Sequence, residues 1–392
     1  MSFPKGLAMT NVVVLGSTGS IGANCLSVVR DNASRFKVVA LAAGSNIDVL
    51  AAQVKEFAPG VVAIGDPGAR EEFSRRNDFP GLIVLGGDEG LRELSSLPAA
   101  DVVVNGLVGA CGLAPTLEAV KAGKRVALAN KESIVLAGEI VMNAAVEHGA
   151  TILPVDSEHS GIHQCVSGRN GRVRRIVLTA SGGPFLGRSA DHLKSVTPED
   201  VMRHPVWRMG RRICADSATL LNKGFEVMEA RWLFGVELSK IGVLIHPQCA
   251  VHALVEFNDG TTLAQISRPD MRIPILYAMS YPDCLPSALP ACDLSKAGPL
   301  VFSEPDLDEF PCLRLAYSAA AEGGTRPAQL NAADEVAVRA FFERRIRFTD
   351  IPSVLEKSLE RLKSGPALSV ELVLEADAEA REAASRAISE LS

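Results

Sequence analysis

The residues with the clearest chemistry fall in short blocks. Residues 12–15, VVVL, run straight into Gly16-Ser-Thr-Gly19-Ser-Ile-Gly22 and then a helical stretch. Such a strand-to-helix turn lets backbone N–H groups approach a pyrophosphate, and the helix N-terminus adds favourable dipole charge. The spacing is G-x-x-G-x-x-G rather than G-x-G-x-x-G. Its position at the head of a β-α-β series therefore carries the dinucleotide reading, against a Gly-rich turn in another α/β fold. The next strand ends Ala42-Ala43-Gly44-Ser45-Asn46. It lacks the acid that would bond a ribose 2′-hydroxyl, which leaves room for a 2′-phosphate and favours NADPH, although Asp48 is close in sequence.

A second group of blocks carries carboxylates and anion-binding residues. Asp156-Ser157-Glu158 follows the strand-like run 151–155. In extended chain, positions i and i+2 share a face, so the two carboxylates would point the same way. Such a pair repels and raises one pKa, holds a hard cation such as Mg²⁺ or Mn²⁺, or is a solvated surface pair. Residues 216–226, DSATLLNKGFE, read as one helix with Asn222 and Glu226 on one face and Lys223 beside them. Ser217, Asn222 and Lys223 can hold a phosphate and Glu226 can complete a carboxylate triad, while an ordinary solvated helix explains the segment equally well. Thr179-Ala-Ser181-Gly-Gly-Pro184 ends a strand with small residues that form either a plain turn or the lining of an anion site. His204-Pro-Val-Trp207-Arg-Met-Gly210 suits a loop able to cover a site, though a single histidine is commonly structural. Asn130-Lys131-Glu132-Ser133 comes directly after an apolar strand, where ligands of doubly wound sheets lie.

The elements that must position these blocks are legible from periodicity. Runs at 12–15, 38–42, 61–64, 82–85, 102–104 and 126–129 suit a parallel sheet covered on both faces. Ile21, Cys25 and Val28, then Val49, Ala52 and Phe57, recur at helical spacing between them. Residues 1–150 thus read as a doubly wound, Rossmann-like α/β domain. Residues 151–282 read as a central α+β domain, with strands near 175–179, 241–245, 251–257 and 262–266 and helices near 198–202 and 218–233. The Pro-rich segment 283–311 reads as a linker, and residues 312–392 as an all-α bundle with an Ala-rich stripe running from Leu368 and Leu372 to Leu391.

Composition narrows the function classes. With 392 residues, 47% apolar and 22% charged, the chain is a multidomain globular protein rather than a disordered one. A net charge of −6 gives no basic field to collect a nucleic-acid backbone. Eight cysteines sit singly, with no C-x-x-C pair, which fits reduced thiols better than zinc ligands. Residues 1–10 lack the apolar stretch of a secretory signal and no run approaches a membrane span, so a cytoplasmic protein without a membrane role is expected.

Taken in order, GSTGSIG at 16–22, LANKES at 128–133, PVDSEHS at 154–160, TASGGPF at 179–185, HPVWRMG at 204–210, DSATLLNKGFE at 216–226, LIHPQ at 244–248 and LNAADEVAV at 330–338 closely resemble the 1-deoxy-D-xylulose 5-phosphate reductoisomerases. The resemblance spans nearly the whole chain. It implies an enzyme, usually a homodimer, that converts a sugar phosphate to 2-C-methyl-D-erythritol 4-phosphate with NADPH and one divalent cation, Mg²⁺, Mn²⁺ or Co²⁺. By this resemblance Thr18, Gly19, Ser20, Ile21, Gly44, Asn46, Asn130, Glu132 and Gly210 contact NADPH, and Asp156, Glu158 and Glu226 hold the metal. Lys131, Ser157, Glu158, Ser181, His204, Ser217, Asn222, Lys223 and Glu226 contact substrate. Lys131, Glu158, His204 and Glu226 carry the catalytic roles, with Lys131 polarising oxygen or moving protons and His204 acting as a clamp. Four positions depart from the family pattern: Ser45 stands where a lysine is common, Val206 and Arg208 fill positions that are often small and polar, and Asp334 replaces a more usual asparagine. A metal-independent reductase of the aspartate-semialdehyde or homoserine dehydrogenase kind shares the glycine turn but has no use for the carboxylates. A nucleotide-sensing regulator would keep the dinucleotide domain but do no chemistry, and the clustering of metal, phosphate and lid candidates argues against it.

Overall fold

The computed structural model describes residues 9–76, 78–169 and 173–391, so most of the N-terminal segment, residues 1–8, lies outside the described residues. Two compact units emerge: residues 1–133, 141–160 and 270–290, and residues 134–140, 161–269 and 291–392.

The first unit is built on seven parallel strands, β1 (Thr10–Leu15), β2 (Phe36–Ala43), β3 (Val61–Ile64), β4 (Ile83–Gly86), β5 (Val102–Asn105), β6 (Arg125–Leu128) and β7 (Thr151–Pro154), in the order β4-β3-β2-β1-β5-β6-β7. Val12 pairs with Val38 on one side and Val102 on the other, and Leu128 pairs with Pro154. These strands are valine-rich throughout because their side chains are buried: Val12, Val13, Val14, Val102, Val103 and Val104 are all inaccessible. Strand order reverses between β1 and β5, which places the ligand crevice of a doubly wound fold outside the ends of those strands.

Two features of this unit differ from the sequence reading. The helix Ile47–Phe57 buries Ile47, Leu50, Gln53 and Val54, whereas Val49 and Ala52 face solvent. Either set of positions satisfies a 3.6-residue period, and only the packing partner selects between them. The unit also does not stop at residue 150. The run 151–154 is the last strand of the sheet, and the helix Arg272–Ser280 returns to bury Ile275, Leu276, Ala278 and Met279 in the same core, with Met279 Sδ 3.6 Å from Cys25 Sγ. Such a return depends on contacts far apart in sequence, which local patterning does not reveal.

The second unit holds a four-stranded sheet, β8 (Val173–Ala180), β9 (Ile241–Ile245), β10 (Val251–Phe257) and β11 (Thr262–Ile266), ordered β11-β10-β8-β9. Strand β10 runs antiparallel to β8 and β11, and β8 runs parallel to β9. Four helices, Pro311–Glu322, Arg326–Phe342, Ile351–Glu360 and Val370–Ser389, form the C-terminal bundle and belong to this unit. Leu368 and Leu372 are exposed, so the buried stripe of the last helix begins at Val373 and continues through Ala376, Ala380, Ala383, Ala384 and Ala387. The segment expected as a linker is partly structured: Ile245 donates to Ser303 O at 2.7 Å and Ser303 returns the bond. Among the described residues no helix is long and apolar enough to cross a membrane.

Candidate active site

Because all seven strands of the first sheet are parallel, the loops after β1, β2, β5, β6 and β7 emerge at one edge. Gly16 has φ +76, and a Cβ there would sit 2.7 Å from Gly106 O, while one on Gly22 would sit 2.4 Å from Gly16 O. Gly16 therefore serves the close packing of the turn against the loop after β5, and Gly22 the packing of the following helix against the turn itself. Gly19 differs: it is exposed and caps the helix Ser20–Asp31 with no side-chain bond of its own, which leaves the helix N-terminus open. Thr18, Ser20 and Ile21 flank it. After β2, Gly44 has nothing within 4 Å of a built Cβ, and Asn46 Oδ1 accepts from Val49 N at 3.3 Å to cap the next helix.

At the end of β6, Asn130 is buried and its amide is fully engaged. Nδ2 donates to Leu107 O and Gly109 O, each at 3.0 Å, and to Glu132 Oε2 at 2.8 Å; Oδ1 accepts from Ser133 N at 2.9 Å. Asn130 thus ties the loop after β5 to the loop after β6, and Asn105, Thr116 and Ser133 extend the network beneath it. Lys131 Nζ donates to Asp156 Oδ2. The chain after β7 does not stay extended. Asp156 Oδ1 accepts from Glu158 N at 3.1 Å, Asp156 O accepts from Ser160 N at 2.8 Å, and a helix spans Ser157–Val166. The two carboxylates do come together, an oxygen of each lying within 4.8 Å of the other, but through a helix start rather than the extended chain expected, because Asp is a favourable N-cap residue and Ser-Glu a favourable first turn.

In the second unit the expected single helix over 216–226 is two, Arg211–Ala218 and Leu221–Phe234, broken where Leu220 takes a left-handed φ of 58. Beyond the break Asn222 donates to Glu226 Oε1 at 2.6 Å and Lys223 to Glu226 Oε2. Both Lys223 and Glu226 are buried, at 5% and 1% exposure, so this is a desolvated ion pair whose members depend on each other. Ser181 follows β8 in a turn that needs Gly183 at φ +73: a Cβ there would lie 2.8 Å from Ser217 O. The turn that carries Ser181 and the end of the Arg211–Ala218 helix that carries Ser217 are thereby packed against each other through Gly183.

His204 faces the same turn. Its Nδ1 accepts from Val206 N at 3.2 Å and Trp207 N at 2.9 Å, so in the neutral ring the hydrogen resides on Nε2, which donates to Ser181 Oγ at 2.9 Å. Gly183 N also donates to Ser181 Oγ at 3.1 Å. With both its lone pairs engaged, the Ser181 hydroxyl is left to donate its own hydrogen outward. Burial lowers the His204 pKa below its ordinary value, which keeps the ring neutral near pH 7. Gly210 caps the Arg211–Ala218 helix from the end of this loop.

Two buried polar clusters escaped the sequence reading. Gln53, 8% exposed, accepts from Ser17 Oγ at 2.7 Å and donates to Ser17 O at 2.9 Å, clamping the glycine turn. Its only signal in the sequence is a polar residue at helical spacing from Leu50 and Val54. Arg212 gathers acids from another helix, and Asp216 four residues on is its local signal.

Comparison with known proteins gives a consistent result. The family model for 1-deoxy-D-xylulose 5-phosphate reductoisomerase matches residues 12–138, and models of the C-terminal domains of the same enzyme match 152–234 and 266–383. A 1-deoxy-D-xylulose 5-phosphate reductoisomerase of Thermodesulfovibrio yellowstonii is 50% identical over 97% of this chain and all of its own length. One from Ralstonia nicotianae is 48% identical over 95% of this chain and 96% of its own. Among solved structures, the Zymomonas mobilis reductoisomerase in complex with NADPH superposes with TM-score 0.91 at 40% identity, covering 97% of this chain and 99% of that one. A DOX-P reductoisomerase in complex with NADPH, fosmidomycin and magnesium superposes with TM-score 0.93, also at 40% identity, covering 98% and 99%.

Proposed function

Because this chain belongs to the 1-deoxy-D-xylulose 5-phosphate reductoisomerase family, we propose that it rearranges and reduces 1-deoxy-D-xylulose 5-phosphate to 2-C-methyl-D-erythritol 4-phosphate in the non-mevalonate isoprenoid pathway, using NADPH and a divalent cation. The observation in the structure that carries this reading is the buried Asn222–Lys223–Glu226 cluster: a carboxylate and two phosphate-binding side chains held together on one helical turn, which neither a plain reductase nor a nucleotide sensor requires.

Asp156, Glu158 and Glu226 would hold the cation, and Mg²⁺, Mn²⁺ and Co²⁺ all suit such a site. Carboxylate oxygens are the donors a hard cation prefers, and these positions already attract positive charge, Lys131 bonding Asp156 and Lys223 bonding Glu226. Thr18, Gly19, Ser20, Ile21, Gly44, Asn46, Asn130, Glu132 and Gly210 would form the dinucleotide site, supported by the open helix N-terminus at Gly19. When bound, the cation polarises the substrate's oxygens and NADPH supplies the reducing equivalents.

The protein's own groups do the rest. Lys131 carries a proton at Nζ beside Asp156, placed to polarise a substrate oxygen or hand that proton on, and Ser157 and Glu158 present a hydroxyl and a carboxylate from the same helix start. Ser181, Ser217, Asn222 and Lys223 bind the phosphate end, the Ser181 hydroxyl being oriented as a donor by His204 and Gly183. His204, neutral near pH 7, acts as a clamp, and the loop it anchors excludes water. We place the enzyme in the cytoplasm as a homodimer, a reading that rests on family likeness and on the charge and composition of the chain.

The test is NADPH oxidation by purified protein with 1-deoxy-D-xylulose 5-phosphate, with Mg²⁺ or Mn²⁺ and with chelator. Metal-dependent turnover is expected; absence of turnover with NADPH binding intact refutes the assignment.

A further inference from the structure

Arg212, on the Arg211–Ala218 helix, sits at the centre of a buried acid cluster within the second unit. Its Nη2 donates to Asn331 Oδ1 at 2.6 Å and Asp334 Oδ2 at 3.2 Å, and its Nη1 to Glu335 Oε1 at 2.8 Å. Asp216, one turn along its own helix, lies 3.5 Å from its Nε. Asp334 is fully inaccessible and Asp216 is 4% exposed. Glu335 also accepts from Arg381, which is paired with Asp377 on the last helix. The cluster therefore sets the acids Asp216, Asp334, Glu335 and Asp377 against the two guanidiniums of Arg212 and Arg381.

The demand for a proton falls on Asp216 and Asp334. Arg381 serves Glu335 and Asp377, whereas Asp216 and Asp334 converge on one Arg212 nitrogen, at 3.5 and 3.3 Å from Nε. Two buried ionised carboxylates drawn to one guanidinium repel each other, which favours a proton on one of them. Burial and the Glu335 charge push Asp334 up to about 6, against the pull of Arg212 and of its contact with Asp216. Cys312 is the titratable group on the neighbouring Pro311–Glu322 helix, and burial together with the same two acids drives its thiol far upward, so it stays neutral and adds no charge.

The helix so anchored carries Gly210 at its start and Ser217 at its end, and Leu220 and the Asn222–Lys223–Glu226 turn follow. We infer that the Arg212–Asp216–Asp334 cluster, with one proton shared between its two acids, is a positioning device that holds Ser217 and the His204 loop in register for the phosphate end of the substrate, and that it loosens when the proton leaves. This rests on the function proposed above for its effect on substrate, but not for its effect on stability. Asp334 and Asp216 act through the helix and do not touch substrate themselves.

The experiment compares the wild type with Asp334→Asn, a near-isosteric replacement that supplies the missing donor permanently, and with Asp216→Asn as the reciprocal variant. KM for 1-deoxy-D-xylulose 5-phosphate and kcat are measured from about pH 5 to about pH 8, and ligand-free Tm from about pH 3.5 to about pH 8, a range that spans the unfolded and folded values of the carboxyl. Below the folded value the protonated acid and the amide are equivalent in the native state, so the KM values of wild type and Asp334→Asn should agree. Above it, KM of the wild type should rise about 5-fold relative to Asp334→Asn with kcat within about 2-fold; wild-type Tm should fall behind progressively between about pH 4 and about pH 6 and hold a constant difference above that. A Tm difference that does not change with pH overturns the shared proton, whether or not the protein turns over substrate. A pH-dependent Tm difference with parallel KM profiles overturns the positioning role. If Asp334→Asn fails to fold, a flat Tm and KM profile in Asp216→Asn supports the inference and a wild-type-like profile refutes it.

Discussion

Replacing Gln53 by leucine removes two buried hydrogen bonds and leaves nearly the same volume. Ser17 is then held only by its backbone bond to Ala42 O at 2.8 Å. Its hydroxyl and carbonyl, paired with Gln53 at 2.7 and 2.9 Å, lose their partners in a place where Ser17 is fully inaccessible. An unsatisfied buried polar group costs about 1–3 kcal/mol, and the two act together rather than additively, so a loss of about 2–4 kcal/mol is expected, offset by about 1 kcal/mol from the added apolar burial. For a domain of this size that corresponds to a fall in Tm of roughly 4–10 °C. Ser17 lies between Gly16 and Thr18, so the turn that would cradle the pyrophosphate shifts with it, and a displacement of a few tenths of an ångström should raise KM for NADPH about 10-fold. With NADPH saturating, kcat and the KM for the sugar phosphate should stay within about 2-fold, since neither depends on that turn. The assay is steady-state NADPH oxidation at varied NADPH, beside thermal unfolding of the same preparations. A lowered Tm with unchanged KM for NADPH would show that the clamp stabilises the fold without shaping the dinucleotide site, and would refute the link between Ser17 and the pyrophosphate turn.

The second unit offers three more tests. Glu226→Gln should lower kcat by at least ~10²-fold, about 2.7 kcal/mol of barrier, and weaken Mn²⁺ binding measured directly by spin resonance; near-native turnover would remove Glu226 from the metal set. Lys223→Met should raise KM for the sugar phosphate and lower Tm, because Glu226 is left buried without its ammonium, and added divalent cation should recover much of that Tm; an unchanged KM would end the phosphate assignment. His204, whose pKa burial holds below 6.5, contributes stability that is fully present above 6.5 and is lost as pH falls through its folded value, because Nδ1 then takes a proton and can no longer accept from Val206 and Trp207. The acid-side decline in kcat/KM should therefore be absent in His204→Asn, whose side-chain oxygen remains an acceptor at every pH, and a retained decline would place the titration elsewhere.

How much of the molecule was legible in the chain depends on the range of the interaction. Asn222, Lys223 and Glu226 were readable as a group because residues three and four apart on a helix are neighbours whatever surrounds them. The strands could be placed within a few residues because fully buried parallel strands admit little except Val, Ile, Leu and Ala. The motif order carried the resemblance from which the cofactor and cation were expected. The failures are equally physical. A D-x-E sequence has no single conformation until the chain around it is folded, and in this fold the Asp156 carboxylate caps a helix instead of continuing a strand. Two faces of the Ile47–Phe57 helix fit the same period, and the sheet chose the one containing Gln53.

The sequence by itself determined the elements, the glycine turn and the short-range clusters, since each depends on residues within one or two helical turns of one another. The tertiary structure alone decided which segments share a core, as when the helix Arg272–Ser280 returns to the first unit. It alone also decided which acids meet which bases. Arg212 and Asp334 stand 122 positions apart, and nothing in either segment announces the other. Burial then changes what those groups can do. Asp334 in water is an ordinary carboxylate, but shut away from solvent beside the Glu335 charge its pKa is pushed up to about 6 against the pull of Arg212 and Asp216, a property set by the packing of helices rather than by any residue's identity.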